Sequence, residues 1–434
     1  MNWQPIYAVL IFTSTLVTYL CALKIDAIQI KRWKKTYLTL SLLINLGILF
    51  LFKYYNFFNE SIFGLLNEWG LRMTLPNFDL LLPVGISFYT FQAIGYTIDV
   101  YRGDIKSEKH FGIYALFVSF FPQLVAGPIE RAVNLLPQFK ETKIFNYNQA
   151  AEGIRLIIWG YFMKIVVADR LAIYVNSVYG GPEYHSSITL LTGTVFFAFQ
   201  IYCDFAGYSN IAIGCAKIMG FDLMTNFKRP YFAQSCAEFW SRWHISLSTW
   251  FKDYLYIPLG GNRVGTVKNY RNLLITFLVS GLWHGANWTF VIWGGLNGAY
   301  QILFKMLNIS PKKKKVETNI GLIYIGNVLL TFILISFTWI FFRANSFKDA
   351  ITVIKRMAIA PGDLFIGDKS SFVYSIFAVC LLLIKDAFDE FYPDKKMFFT
   401  SEYRSVRYLS YTIIITTILL LGVFDGGQFI YFQF

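Results

Sequence analysis

The run Ser280-Gly281-Leu282-Trp283-His284-Gly285-Ala286-Asn287-Trp288 sets a histidine between two long apolar stretches, in a chain with only 4 histidines among 434 residues. An ionisable side chain at membrane depth costs several kcal/mol, about 2.5–3.5 on insertion scales for other charged groups. A neutral imidazole escapes most of that cost and keeps one lone pair. Taking a proton from a hydroxyl near neutral pH requires such an uncharged base. His284 is therefore a candidate general base, with room beside Gly281 and Gly285 for a substrate or another backbone. The same residues also fit a packed histidine that gives one hydrogen bond to a carbonyl.

A second histidine, His244, lies in Arg242-Trp243-His244. It is expected to orient His284 or to contact an acyl donor, unless it is an interfacial histidine among tryptophans. A hydroxyl attacking a carbonyl builds an oxyanion that needs donors, and His244, the Trp283 indole and Asn287 are candidates. Asp204 stands with Tyr208 in Gln200-Ile201-Tyr202-Cys203-Asp204-Phe205-Ala206-Gly207-Tyr208. An acid at the edge of an apolar run needs a cation, expected from an Arg or Lys of the 226–271 stretch, as a helix-locking ion pair. Gln123-Leu124-Val125-Ala126-Gly127-Pro128-Ile129-Glu130-Arg131 reads as a helix end near a chamber mouth or as a surface loop.

Other chemistries lack their residues. Gly85-Ile86-Ser87-Phe88-Tyr89 has no second glycine and is not a nucleophile elbow. There is no glycine-rich phosphate loop and no HExxH. The 5 cysteines (Cys21, Cys203, Cys215, Cys236, Cys380) show neither CxxC nor metal spacing, so no metal is expected. This favours direct transfer, with histidine deprotonating the acceptor hydroxyl.

The elements that hold these residues must cross a membrane. The chain is 56% hydrophobic and 15% charged, where soluble proteins carry about 25% charged residues. The formal charge of +13 sits mostly in short loops, as in Lys31, Arg32, Lys34 and Lys35 and in Lys312 to Lys315. That pattern reads as cytoplasmic loops and not as a nucleic-acid surface, for which no basic soluble domain exists. The first apolar run lacks the basic flank of a cleavable signal peptide. Apolar runs near 5–23, 36–52, 80–98, 111–126, 154–175, 189–205, 272–305 (two short spans), 320–342, 371–385 and 405–424 predict an all-α polytopic protein. Its helices number about ten or eleven. Glycines and prolines inside several of them (Pro83 and Gly85, Pro122 and Gly127, Gly207 and Gly214, Gly281 and Gly285) predict broken or re-entrant helices around an internal chamber. Between 226 and 271, Trp240, Trp243, Leu247, Trp250, Phe251 and Tyr254 recur at helical spacing and predict an amphipathic interfacial helix. No internal repeat is visible, and residues 1–434 read as one membrane domain.

Several strings are specific enough to carry a resemblance. Leu82-Pro83-Val84-Gly85-Ile86-Ser87-Phe88-Tyr89-Thr90-Phe91-Gln92, the Gln123–Arg131 and Asp204–Gly220 stretches and Arg242-Trp243-His244 are four of them. The others are Asp253-Tyr254-Leu255-Tyr256-Ile257-Pro258-Leu259-Gly260-Gly261-Asn262-Arg263 and Gly281-Leu282-Trp283-His284-Gly285. Over nearly its whole length the chain resembles the membrane-bound O-acyltransferase family, in particular its bacterial alginate O-acetylation branch. The resemblance implies a bundle of about eleven helices with a funnel or tunnel, His284 as the catalytic histidine and His244 as the second one. It implies a cytoplasmic thioester as co-substrate (acetyl-CoA or an acyl carrier) with no bound cofactor. The acetyl group would pass towards an exported polysaccharide, often through a separate extracytoplasmic SGNH-type acetyltransferase with a Ser-His-Asp site and the export machinery. The related teichoic-acid branch moves D-alanine instead. Basic residues near Lys252 and Arg263 are expected to help the thioester enter. Two departures concern donor contacts: Asn210 stands where many relatives carry Asp, and Ser241 where many are basic. Relatives also usually begin with an extra apolar hairpin before Asn2-Trp3, so either this chain starts late or its natural start lies upstream. A transporter or an export scaffold remains the alternative; transport predicts repeat symmetry and several intramembrane charges, against one visible acid.

Overall fold

A computed structural model describes residues 7–70, 75–78, 83, 85–124, 127–307 and 321–425. The Lys312–Lys315 cluster and Leu82, Val84, Val125 and Ala126 lie outside them. All regular structure among the described residues is helical. Six helices are long and apolar enough to cross a membrane: Tyr7–Ala27, Lys31–Glu68, Ser187–Ile218, Leu322–Arg343, Lys369–Phe391 and Arg404–Leu421. The remaining expected spans form helices that are shorter or more polar.

The chain divides into two compact units, residues 1–146 with 219–224 and residues 147–218 with 225–434. The first contains α1 (Tyr7–Ala27), α2 (Lys31–Leu49), α3 (Tyr55–Glu68), α4 (Ile86–Arg102), α5 (Phe111–Ser119), the single turn α6 (Phe121–Leu124) and α7 (Ala132–Lys140). A π-helical stretch, Phe50–Tyr54, joins α2 to α3, so the expected span at 36–52 is part of one long run. Glu130 does not belong to an exposed loop. It is 2% exposed, and its carboxylate accepts from the backbone N–H groups of Arg131 and Met224 and from the Asn134 amide.

The second unit holds every candidate catalytic residue. It runs through α8 (Tyr147–Tyr161), α9 (Asp169–Tyr179), α10 (Ser187–Ile218), α11 (Cys236–Arg242), α12 (Ile245–Phe251), α13 (Thr266–His284), α14 (Trp288–Met306), α15 (Leu322–Arg343), α16 (Phe347–Ile359), α17 (Lys369–Phe391) and α18 (Arg404–Leu421). Here Gly207, Gly214 and Gly281 do not break their helices, although α13 does end at Gly285. Helix α10 continues for 32 residues through Gly207 and Gly214. A Cβ on Gly214 would lie 2.5 Å from the Gly153 carbonyl oxygen, and one on Gly207 would lie 2.8 Å from that of Gly160. The two glycine pairs thus let antiparallel α8 and α10 touch backbone to backbone, the close packing that small residues permit in membranes. Gly281 and Gly294 do the same for α13 and α14: a Cβ on Gly281 would lie 2.2 Å from the Phe290 carbonyl oxygen. Local helix distortion appears instead as π-helical turns at Phe162–Ala168 and Lys252–Tyr256.

The 226–271 stretch also departs from its expected form. It is not one interfacial helix, because the backbone turns sharply at His244 (φ 42°, ψ 54°) between α11 and α12. Trp240, Trp243, Leu247, Trp250 and Phe251 are all buried in protein. Arg242 fixes the stretch to α17: its guanidinium reaches Glu390 at 2.9 Å and Glu238 at 2.6 Å, and Arg229 reaches Glu390 at 2.7 Å.

Candidate active site

His284 is the last residue of α13, and Gly285 leaves the helix in extended conformation. One turn back, the Ser280 carbonyl lies 2.6 Å from His284 Nδ1. A carbonyl only accepts, so Nδ1 carries the proton and the imidazole lone pair sits on Nε2. The ring packs against Trp293 (4.8 Å between centroids), Trp283 (5.0 Å) and Phe342 (5.6 Å), all with steep interplanar angles. Only 2% of the residue is exposed. The carbonyl end of α13 favours the positive charge that forms on the ring when it takes a proton.

His244 is 1% exposed, and its ring lies 6.0 Å from Trp283, which thus neighbours both imidazoles. His244 Nδ1 is 3.1 Å from Asn226 Oδ1, which also receives the Ser246 backbone N–H at 3.2 Å and the Ser246 hydroxyl at 2.9 Å. Phe205 of α10 packs edge-on against His244 at 4.6 Å. So the structure brings His244, Trp283 and His284 together, which the sequence alone could not show, and adds Asn226, Ser280, Trp293, Phe342 and Phe205. Ser280 was readable four residues before His284 on a helix. The other four come from distant elements and left no local signal.

Asp204 pairs with a different residue from the one expected. Its partner is Lys164 of the Phe162–Ala168 π turn (2.6 Å), not a cation of the 226–271 stretch; Lys164 also reaches Asp169 at 2.7 Å and lies over the Tyr208 ring at 5.4 Å. Gly160 and Gly207 set this register, because Lys164 follows one of them by a turn and Asp204 precedes the other by a turn. The single acid seen in the sequence is thus one of several buried charges, with Lys164, Asp169 and Asp386.

Asn287 Oδ1 caps α14 by accepting the Thr289 N–H at 2.9 Å, which leaves the Nδ2 end to donate. Arg242 is committed to its two glutamates and acts as an anchor. Asp253 and Tyr254 lie in the π turn after α12, where Tyr254 packs on Trp250 at 4.9 Å. Arg263 is exposed in the loop before α13. Lys252 lies on the edge of a cavity of about 400 Å³. Trp240, Phe251, Tyr256, Phe277 and Ser280 are among its walls. The cavity follows α13 from Leu273 to Ser280, about 10 Å along the axis, and ends one turn short of His284.

The description "membrane-bound O-acyltransferase family" matches residues 110–346, more than half of the chain. The chain belongs to the membrane-bound O-acyltransferase family. It is an acyltransferase, and the apolar helices of its fold are those of a membrane protein. A probable alginate O-acetylase of Azotobacter vinelandii is 37% identical over 88% of this chain and 74% of its own length. A peptidoglycan O-acetyltransferase of Helicobacter pylori is 37% identical over 82% of this chain and 71% of its own. A teichoic acid D-alanyltransferase of Streptococcus thermophilus is 29% identical over 50% of this chain and 56% of its own.

Proposed function

We propose that this acyltransferase moves an acetyl group from a cytoplasmic thioester towards hydroxyls of an exported polysaccharide, with His284 as general base. The observation that carries the reading is the 2.6 Å contact from Nδ1 to the Ser280 carbonyl, which leaves the basic lone pair on Nε2 inside an aromatic, water-poor wall. Nε2 takes the proton of the acceptor hydroxyl as its oxygen attacks the thioester carbonyl. The C–S bond then breaks, and the imidazolium returns the proton to the departing thiolate. Ester and thiol are the products. The Asn287 amide and the Trp283 indole are the proposed oxyanion donors, and His244 completes the site.

The cavity along α13 suits the donor. A volume of about 400 Å³ lies within the range of small-molecule sites, roughly 300–1,000 Å³, and a cation stands on its edge. We assign it to the acyl-bearing arm of acetyl-CoA or an acyl carrier, with Lys252 and Arg263 drawing in the negative end. Acetyl is preferred to D-alanyl because the O-acetylating relatives are 37% identical and the D-alanylating one 29%. We place the enzyme in the bacterial cell membrane as a multi-pass protein. An extracytoplasmic SGNH-type acetyltransferase and the polysaccharide export machinery are the proposed partners.

The test is polymer acetylation in cells that carry His284→Ala, with the protein level in the membrane checked. Loss of a general base costs about 10²–10⁴ in rate. Unchanged acetylation at normal protein level would remove His284 from the mechanism.

A further inference from the structure

Asn226 lies outside the helices, 1% exposed, and its side chain faces three donors at one oxygen. The Ser246 backbone N–H can only donate. The atom it meets must therefore be the amide oxygen, and the orientation of the Asn226 amide is fixed without reference to either histidine. It follows that His244 Nδ1, 3.1 Å from the same oxygen, is the protonated nitrogen. The lone pair of neutral His244 is then on Nε2. The Asn226 carbonyl also receives the Ile245 N–H at 2.9 Å, so one residue grips both sides of the left-handed turn that carries His244.

We propose that Asn226 is a positioning residue that holds His244 as a hydrogen-bond acceptor towards the substrate. The proposal rests on the active-site reading above and deepens it. An oxyanion would meet a lone pair at Nε2 and be repelled, so His244 leaves the set of oxyanion donors expected from the sequence. The group it receives carries a proton: a hydroxyl of the polyol acceptor, held beside the one that His284 deprotonates. No bond to His244 forms or breaks. The two histidines both neighbour Trp283 and hold the same tautomer, one fixed by the Ser280 carbonyl and the other by the Asn226 amide oxygen. Phe205, Phe227 and Trp283 are among the rings packed on His244.

The experiment is nitrogen NMR of the full chain in detergent with isotope-labelled histidine. The His244 signal is assigned by its loss in His244→Gln. The expected result is protonated Nδ1 and bare Nε2 in the wild type, kept in Asn226→Asp, which retains an oxygen acceptor, and lost to a mixture in Asn226→Ala. Acetyl transfer by Asn226→Ala should fall about 10²-fold or more in kcat, since a wrong tautomer in another buried base pair costs about 10⁴. Asn226→Asp should recover part of that loss. A wild-type His244 protonated on Nε2 overturns the proposal, as does an Asn226→Ala variant with wild-type tautomer and kcat. If His244→Gln itself keeps full activity, the active-site reading is what fails, and the spectrum still decides what Asn226 does.

Discussion

At the scale of residues, the account turns on which nitrogen of each histidine is bare. For His284 half of the answer was legible. A histidine four residues after Ser280 on a helix can always reach back to that carbonyl, and the apolar flanks announced its burial. Trp293 and Phe342 were not legible, because they reach the ring from α14 and α15. His244 was legible only as a residue, and nothing local tied it to Asn226 eighteen positions earlier. The donor cavity gives a prediction at the same scale. Thr276 lines it about two turns before His284 on α13. Thr276→Phe should fill the space and raise the KM for the thioester about tenfold or more while kcat changes little, as loss of uniform binding requires. A steady-state titration of the donor checks this; an unchanged KM would take the donor out of that cavity.

At the scale of elements, glycines do more than punctuate. Taken as helix breakers they suggested re-entrant segments; the structure uses Gly207, Gly214 and Gly281 to bring α8 against α10 and α13 against α14, while Gly285 does end α13. Period and composition cannot separate these uses, because the decisive fact is the backbone on the other side. The register so set stacks Lys164 between Asp169 and Asp204, two acids on one base. Asp204→Asn should therefore be mild, since Lys164 keeps one carboxylate. Lys164→Met should be severe, about 3–5 kcal/mol, because it strands two. Thermal unfolding in detergent ranks the two, and the reverse order would refute the charge count. The first unit offers a pH test in the loop before α5. Burial pushes the Glu108 carboxyl up, but the Lys140 ammonium at 2.6 Å and the His110 N–H at 2.9 Å outweigh it and hold the group below its usual range. A depressed carboxyl stabilises the fold above its unfolded value and loses that contribution as pH falls. Glu108→Gln should cost less than about 1 kcal/mol at pH 7, given the half-exposed lysine. The difference should close below about pH 4. A gap that persists in acid would show that the pair is not its cause.

At the scale of the whole molecule, composition, the apolar runs and the GLWHGANW and DYLYIPLGGNR strings were sufficient for class and family, and the match over residues 110–346 agrees. The charge count was less legible. One visible acid argued against transport, yet Lys164, Asp169 and Asp386 are buried as well. Asp169 adjoins Arg170 and Asp386 adjoins Lys385, and only the fold shows which of these charges turn inward. Buried charge therefore does not separate a transferase from a transporter, and compartments do. In detergent micelles there are none, so ester formation there can come only from chemistry. The decisive measurement is transfer from a labelled acetyl thioester to a polyol acceptor by the purified chain in micelles, wild type against His284→Ala. The account predicts labelled ester from the wild type and a rate lower by about 10²–10⁴ from the variant. Equal rates from the two, or no ester from a wild-type protein that supports acetylation in membranes, would contradict it.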